Sequence, residues 1–358
     1  MKRNRVNFYK KVLCIALGAV MLLSCTGCSR QIKYTATGIA MGTMVNQSIY
    51  TSGEDVTPEI TSLLTALEAE SLSWRIEDSE LAKINEAAGT EAGITLSEDM
   101  TQALKVLIEV SDRSNGAFDI TMHPVVQLWN IDAWAAGEMQ PSPDAGQNTA
   151  QTGETTLSLP TPAEIDAALS CTGYEALTLT GNQLYLPADM SLDLGAAGKG
   201  IACDKIAAYL ADTEVNGAII SVGGSVVTYG SKSDQTPWQV GIVDPKDTSK
   251  LLGTLSLTGN CFVATSGDYE RYVEIDGIRY HHILDPKTGY PADSGVRSVT
   301  IVCNSGILSD ALSTACFVLG VEAGMELAES YGAKVLFVDK DGQIFMSEDM
   351  KEIFKEQE

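Results

Sequence analysis

The sequence has few basic side chains and very few histidines. Its 358 residues contain 24 Lys and Arg against 47 Asp and Glu, which gives a formal charge of −23. A protein that binds nucleic acid independently of sequence needs a basic surface, so no nucleic-acid partner is expected. The same deficit disfavours attachment to anionic lipid through charge alone. Three histidines, His123, His281 and His282, are too few for a His-rich metal site.

Cysteine pairs with zinc-ligand spacing are missing beyond residue 28. The later cysteines are scattered along the chain at Cys171, Cys203, Cys261, Cys303 and Cys316. A zinc site built from cysteines is therefore not expected. Most of these side chains are predicted to act as small buried hydrophobes. The sequence neither requires nor excludes a disulfide among them.

Long apolar runs are also rare, and the longest apolar run lies at the N-terminus. Residues 12–24 are too few to span a membrane and follow a basic segment, which is typical of a secretory signal. The letters LLSC at 22–25 look like a bacterial lipobox, which would make Cys25 the lipidated residue and Cys28 the alternative. A plain signal peptide, or a chance C-x-x-C pair, is the competing interpretation. A tether would follow at 25–34.

The rest of the chain shows clear periodic patterns. Apolar spacing predicts helices at 54–72, 97–114, 162–168, 310–319 and 322–330, with Ser97 as the N-cap of the second. Strand-forming residues occur at 35–50 (broken by Gly42), 218–222, 238–243, 253–257, 273–275, 298–302 and 334–338. Residues 138–162 contain few large apolar side chains and predict a flexible surface insertion. Grouped strands and segregated helices predict a single α+β domain over 35–350.

A carboxylate and a hydroxyl stand at helical spacing near the C-terminus. Asp310 and Thr314 are four residues apart, so they share one face of the predicted helix. Oxygen ligands suit Mg²⁺, and Mn²⁺ accepts the same donors. The alternative is that Ser309 or Asp310 simply caps this helix.

Glycine-rich turns provide a second group of candidates. The segment DLGAAGKG at 193–200 precedes a predicted helix, and its amides and Lys199 could approach a phosphate. It does not match the Walker pattern. The Gly223-Gly224 pair would ordinarily be a tight turn.

Histidine and tryptophan supply the remaining candidates. His281 and His282 are placed where a predicted strand ends, before the turn sequence DPKTG. Neighbours on a strand face opposite ways, so at most one of them should face a given site. Trp74 could stack on a flat ligand, although tryptophan is more often packed in a core.

A series of short motifs, taken in order, resembles the ApbE family. They are AMGT at 40–43, SEL-x₂-IN at 79–85, GAFDIT at 116–121, the 193–200 loop, the Gly-Gly turn, TSGDY-x-R at 265–271, H-x-LDP-x-TG at 282–289 and DALSTA at 310–315. The resemblance runs from about residue 34 to 343. It implies a mixed α/β fold with mainly antiparallel sheets flanked by helices.

The resemblance also implies an activity, that of an FAD:protein FMN transferase. In such an enzyme FMN passes from FAD to a Thr or Ser hydroxyl of a target flavoprotein through a phosphoester bond, AMP is released, and Mg²⁺ takes part. The family's targets are subunits or domains of membrane or extracellular electron-transfer systems. Many members are lipoproteins on the outer face of the bacterial cytoplasmic membrane, where this chain is expected to lie.

Individual site residues follow from the same resemblance. Flavin nucleotide would be contacted by Met41, Ala117, Phe118, Asp119, Asp193, Lys199 and Leu284. Asp310 and Thr314 would hold Mg²⁺ through their side chains, and Ala196 through its carbonyl. His282 matches the family's transfer histidine and His281 does not, so His282 and Asp310 are the catalytic candidates. Trp74 stands where many relatives have tyrosine, and its aromatic face should preserve flavin binding.

Two other functions remain open at the level of sequence. In an FAD pyrophosphatase, water would replace the target hydroxyl and FMN would be released free. A flavin-binding lipoprotein without chemistry would need the FAD contacts, but neither the Asp310 and Thr314 pair nor His282.

Overall fold

The computed structural model describes residues 31–131, 133, 140–141, 156–157 and 159–357. The predicted signal segment, the candidate lipidation sites Cys25 and Cys28, and most of the predicted insertion at 138–162 lie outside these residues. Within the described ranges, no helix combines the length and the apolarity needed to cross a membrane.

An eight-stranded antiparallel sheet organises the described part of the chain. The strands cross the sheet in the same order in which they occur in the sequence. They are Ile32–Ala40 (β1), Thr43–Thr51 (β2), Val215–Val222 (β3), Ser225–Gly230 (β4), Cys261–Gly267 (β5), Val296–Cys303 (β6), Lys334–Asp339 (β7) and Ile344–Met346 (β8). The predicted α+β class with mainly antiparallel sheets is confirmed. β1 begins at Ile32, so the last residues of the predicted tether belong to the sheet.

Helices occupy the long connections between these strands. In the described residues they are Thr57–Leu67 (α1), Glu80–Glu86 (α2), Glu98–Arg113 (α3), His123–Trp129 (α4), Pro162–Leu169 (α5), Gly198–Ala211 (α6), Gly306–Leu319 (α7), Val321–Ser330 (α8) and Glu348–Lys351 (α9). A π-helical turn at Glu68–Leu72 extends α1, and a 3₁₀ turn lies at Tyr174–Ala176. The connection from β2 to β3 contains α1 to α6, and the connection from β6 to β7 contains α7 and α8.

Short strands form smaller sheets beside the main one. Trp238–Asp244, Asp247–Leu257 and Phe354–Glu356 make a three-stranded sheet. Tyr272–Ile275 and Ile278–His281 make a hairpin. The others are Ile94–Thr95 with Gln183–Tyr185 and Thr178–Thr180, and Gln140–Pro141 with Thr156–Leu157.

Local chemistry explains where the helices begin. Ser97 caps α3 as predicted, because its Oγ accepts the N–H of Met100 at 3.1 Å. Thr161 and Glu164 form a reciprocal capping box at the start of α5. Such caps satisfy backbone donors that a helix leaves unpaired at its first turn.

α6 and α7 pack on the sheet through two hydrophobic clusters. Ala202 and Ile206 of α6 join Ile220 of β3 in one cluster. Leu312 of α7 joins Ile301 of β6 in the other. The first turns of α6 and α7 meet, and the candidate site is built around that meeting point.

Candidate active site

The first turns of α6 and α7 cross in backbone contact. A Cβ added at Gly200 would overlap the carbonyl oxygen of Gly306, and a Cβ at Gly306 would overlap that of Gly200. A side chain at either position would force the helices apart. The final glycine of the 193–200 loop is therefore explained by helix packing rather than by contact with a ligand.

Each of these helices also caps the other. The carboxylate of Asp204 on α6 accepts the N–H groups of Gly306 at 2.7 Å and Ile307 at 2.8 Å. Asp310 on α7 accepts the N–H of Gly200 at 2.6 Å through Oδ2. These carboxylates satisfy unpaired donors at the opposite helix N-terminus and interact favourably with its dipole.

Asp310 is buried in the interior of α7, with 4% of its surface exposed. Its Oδ1 accepts the hydroxyl of Ser225 at 2.6 Å. α7 begins after its N-cap Ser305, so the interpretation of Ser309 or Asp310 as the cap of this helix is wrong. Burial raises the pKa of the Asp310 carboxyl, and the nearby Lys199 ammonium opposes that rise.

Two further oxygen donors belong to the predicted metal set. Thr314 lies one turn beyond Asp310 on α7 and is half-buried. α6 starts at Gly198, so the exposed Ala196 precedes the helix. The N–H of Gly200, which could have bonded to the Ala196 carbonyl four residues earlier, donates to Asp310.

This donor set has the chemistry of a site for a hard divalent cation. It combines one buried carboxylate with a hydroxyl and a backbone carbonyl, all of them oxygen ligands that Mg²⁺ accepts. Among the residues that the structure describes, no three His, Cys, Asp or Glu side chains converge to hold a metal. A cation here would thus rely on the mixed set and on water or phosphate oxygens. The assignment of Ala196, Asp310 and Thr314 fits the residues present and stays a prediction.

Lys199 acts on several titratable groups of this region. A Cβ added at Gly223 would be 3.4 Å from Lys199 Cδ, which places the lysine stem beside the Gly-Gly turn. Its charge opposes the rise in pKa that desolvation causes at Glu270 and Asp310. It also adds to the fall in the pKa of His282. The strongly acidic chain thus places a cation where the predicted nucleotide would bind.

The two adjacent histidines have different environments, and His281 ends a strand, as predicted, whereas His282 lies just beyond it. His281 is buried, with Nε2 3.1 Å from the carbonyl of Ala292 and Nδ1 accepting the N–H of Ile283 at 3.3 Å. His282 has Nδ1 3.2 Å from the carbonyl of Arg271. Since a carbonyl only accepts, Nδ1 of His282 carries the proton and Nε2 keeps its lone pair.

The charge state of His282 follows from its surroundings. Burial and the Arg271 guanidinium lower its pKa well below the ordinary 6.5. The imidazole is therefore neutral near pH 7 and able to accept a proton at Nε2.

The 116–121 segment is joined to the 193–200 loop. The N–H of Asp193 donates to the carbonyl of Ile120 at 2.8 Å. Asp119 Oδ1 accepts the N–H and the hydroxyl of Thr121, both at 2.7 Å, and its Oδ2 accepts the N–H of Tyr174 at 3.1 Å. Desolvation raises the pKa of Asp119. The carboxylate thus holds the conformation of its own loop.

Three predicted nucleotide contacts lie in the hydrophobic interior. Ala117 and Phe118 are each 3% exposed, and Leu284 is 9% exposed. Phe118 packs in the same cluster as Ile120, and Leu284 packs with Trp129. With so little side-chain surface, these residues would meet a ligand mainly through backbone atoms.

Met41 lies at the start of α6, and Trp74 packs against His123. A Cβ added at Gly198 would be 3.8 Å from Met41 Cε, so Met41 reaches the start of α6. Trp74 lies against His123, with ring centroids 4.7 Å apart. The guanidinium carbon of Arg75 is 4.0 Å from the centre of the Trp74 ring. The indole is therefore packed, although it is only partly buried.

Sequence analysis did not single out Asp204 or Glu270. Asp204 follows Lys199 on the same helix, and Glu270 lies inside the TSGDYER segment. Their closeness to these motifs was the only sequence signal for them. The role of Asp204 depends on hydrogen bonds to α7, and that of Glu270 on the nearby charge of Lys199. Spacing along one segment does not show such relationships.

Comparisons with known proteins identify relatives along most of the chain. A sequence model of the ApbE family matches residues 41–337. A Vibrio cholerae protein named FAD:protein FMN transferase is 31% identical over 334 residues, covering 91% of this chain and 93% of the relative. A Treponema pallidum protein of the same name is 32% identical over 353 residues, covering 93% and 91%.

Solved structures show the same fold. The apo form of the Pseudomonas stutzeri flavinyl transferase ApbE superposes with a TM-score of 0.74 at 28% identity, over 90% of this chain and 97% of that one. The Vibrio cholerae flavin transferase ApbE gives 0.75 at 29% identity, over 90% and 99%. The similarity therefore extends well beyond the short motifs.

Proposed function

The chain belongs to the ApbE family, and from that premise we propose that it is an FAD:protein FMN transferase. In the proposed reaction a Thr or Ser hydroxyl oxygen of a target flavoprotein attacks the FMN phosphorus of FAD. The bond from that phosphorus to the bridging oxygen of the diphosphate breaks. The products are AMP and a target that carries FMN through a phosphoester bond.

One observation carries the proposal: the first turn of α6, which contains Lys199, is in backbone contact with the start of α7, and Asp310 of α7 accepts the N–H of Gly200 beside that lysine. The diphosphate of FAD is anionic and the chain has a formal charge of −23, so local positive charge is required. Lys199 supplies part of it. Mg²⁺ held by Asp310, Thr314 and the Ala196 carbonyl would neutralise more of the charge that develops on the phosphate oxygens.

His282 is the proposed proton acceptor. Its Nδ1 is directed at the Arg271 carbonyl, so Nε2 is the basic atom that receives the proton of the attacking hydroxyl. The low pKa keeps this atom unprotonated at neutral pH. His281, whose ring nitrogens both face backbone groups, has a structural role.

The flavin nucleotide would lie along the 193–200 loop. Met41 flanks the start of that loop's helix, and Asp193 ties the loop to the 116–121 segment. The aromatic face of Trp74 is part of the same region and could contact a flat ring.

We further propose that the protein is lipid-anchored, through Cys25 or Cys28, at the outer face of the bacterial cytoplasmic membrane. The support is the lipobox-like sequence at 22–25. The target would then be a flavoprotein subunit or domain of a membrane or extracellular electron-transfer system.

The test uses the soluble chain from Ser29 onward, mixed with FAD and Mg²⁺, with and without an acceptor flavoprotein domain that carries a Ser/Thr motif. AMP is followed by chromatography and the acceptor by intact mass. AMP together with an FMN-sized mass gain supports the proposal. AMP with free FMN and an unmodified acceptor would identify an FAD pyrophosphatase instead. FAD that stays bound without AMP would identify a binding protein.

A further inference from the structure

β1 is an open edge of the main sheet, since among the described strands it pairs only with β2. The pairing is regular from Ile32↔Thr51 to Ala40↔Thr43, with no bulge. Soluble proteins usually protect such edges with charges, proline or bulges. β1 has nine residues, no proline, and Lys33 as its only charge. An edge of this kind is a template for another strand.

The hairpin turn shows which backbone groups point outward. Met41 and Gly42 have φ values of 54° and 65°, as a two-residue type I′ turn requires. The flanking pair Ala40 and Thr43 is therefore hydrogen-bonded, and hydrogen-bonded and open pairs alternate along the hairpin from there. The outward N–H and C=O groups belong to Lys33, Thr35, Thr37 and Ile39. The side chains of these residues are exposed as well.

The end of this edge lies at the candidate active site. β1 leads into Met41, which reaches Gly198 at the start of α6. Thr43, the partner of Ala40, lies against the Gly223 turn that Lys199 also approaches. A segment paired along β1 would thus have one end close to the Gly223 turn and Lys199.

The surface beside this edge differs from the rest of the molecule in charge. Residues 32–51 contain one lysine and no acid, although the chain has 47 Asp and Glu. Glu68, outside this range, brings a carboxylate to the turn, where its Oε2 accepts the N–H of Met41 at 2.9 Å. Ile39 and Met44 face each other across the hairpin and are 80% and 58% exposed. A neutral segment can therefore approach along the strand with little charge repulsion, whereas an acidic residue near Met41 would meet the Glu68 carboxylate. The exposed pair offers an apolar contact at the end nearest the site.

We propose that β1 docks the target protein, whose extended Ser/Thr acceptor segment adds to this edge as a further strand and enters the site past Met41. The inference rests on the proposed transferase function, which requires a hydroxyl-bearing segment of another protein. Strand addition binds through main-chain hydrogen bonds and leaves selectivity to a few side chains. The exposed Ile39 and Met44 would contact an apolar residue that flanks the acceptor hydroxyl.

The test compares Thr37→Pro with Thr37→Ala in the soluble chain from Ser29. Proline removes an outward N–H without removing a bond to β2, and alanine leaves the backbone intact. The probe is a fluorescent peptide that spans the acceptor residue of a flavoprotein domain, and binding is measured by anisotropy with FAD present. We expect Thr37→Pro to weaken binding roughly tenfold, about 1.4 kcal/mol, and Thr37→Ala to leave it within about twofold. Equal peptide affinity in the proline variant and the wild type would overturn the inference.

Hydrogen exchange on the unmutated protein keeps the test decisive if the proline variant fails to fold. Added peptide should protect the outward amides of Lys33, Thr35, Thr37 and Ile39, and unchanged exchange would overturn the inference. A wild-type dimer that Thr37→Pro converts to a monomer would also overturn it, because a second copy would then occupy the edge.

The inference and the proposed function fail in different ways. Peptide bound on β1 without AMP release or mass gain of the acceptor would reject the transferase and support the docking edge. Efficient FMN transfer by Thr37→Pro would support the transferase and reject the edge.

Discussion

Asp204 and Asp310 lie on neighbouring helices, and each carboxylate caps the helix that carries the other. Lys199 belongs to α6, whereas Asp310 and Thr314 belong to α7. The reciprocal caps fix the register between these helices. The distance from the lysine to the predicted metal ligands therefore depends on Asp204, which need not itself touch a ligand.

Asp204→Ala should weaken both the fold and the metal site. Loss of the carboxylate leaves the Gly306 and Ile307 N–H groups without their acceptor, which should lower the free energy of unfolding by about 1–2 kcal/mol. It should also reduce the thermal stabilisation that added Mg²⁺ gives. Denaturant unfolding and melting with and without Mg²⁺ measure the two effects. Asp212→Ala, at the exposed C-terminal end of α6, is the matched control. A Mg²⁺ response equal to that of the wild type would remove the positioning role.

Gly200→Ala should be strongly destabilising, because the new methyl group would overlap the Gly306 carbonyl. Relief of that overlap requires backbone movement, with an expected cost of about 1–3 kcal/mol in denaturant unfolding. Gly198→Ala is the control on the same helix, since its Cβ would meet only ordinary contacts near 3.8 Å. Similar stability of the two variants would contradict the proposed close crossing.

Asp310→Asn should suppress Mg²⁺-dependent AMP release while the fold is kept. The amide oxygen can still accept one hydrogen bond, but the charge that would bind the cation is gone. We expect a loss of roughly 10²-fold or more in rate, the scale seen when a group that stabilises transition-state charge is removed. AMP chromatography at a series of Mg²⁺ concentrations measures it, with melting curves as the control for folding. Wild-type release of AMP would refute the metal assignment.

Transfer should stay constant as the pH falls through 6.5, the ordinary pKa of histidine. His282 must be neutral to accept a proton, and its pKa is lowered by burial and by Arg271, so protonation occurs only at more acidic pH. The rate should then decline below that range. A pH profile of kcat/KM for the acceptor tests this, and a half-maximal rate near 6.5 would contradict it. His282→Ala should lose transfer yet retain FAD, as measured by flavin fluorescence.

Sequence patterns predicted the elements that depend on local chemistry. The helix after Ser97 follows from capping and apolar spacing, and the structure confirms it. The histidine pair was expected where a strand ends, and the strand does end at His281. β4 and β5 were not predicted, because their short runs contain many small and polar residues and depend on neighbouring strands for burial. The mutual caps of Asp204 and Asp310 require the crossing of two helices far apart in sequence. No periodicity within one helix contains that information.

The agreement between sheet order and chain order has a consequence for folding. β1 and β2 are joined by two residues and can pair early. Val45 of β2 pairs with Val222 of β3, and this pairing has to close the long connection formed by residues 52–214. Closing such connections costs chain entropy, so these contacts form late. Lys199, His282 and Asp310 all lie in connections between sheet strands. The chain therefore has its exposed β1 edge before it has a working site, which makes partly folded chains prone to pair through that edge.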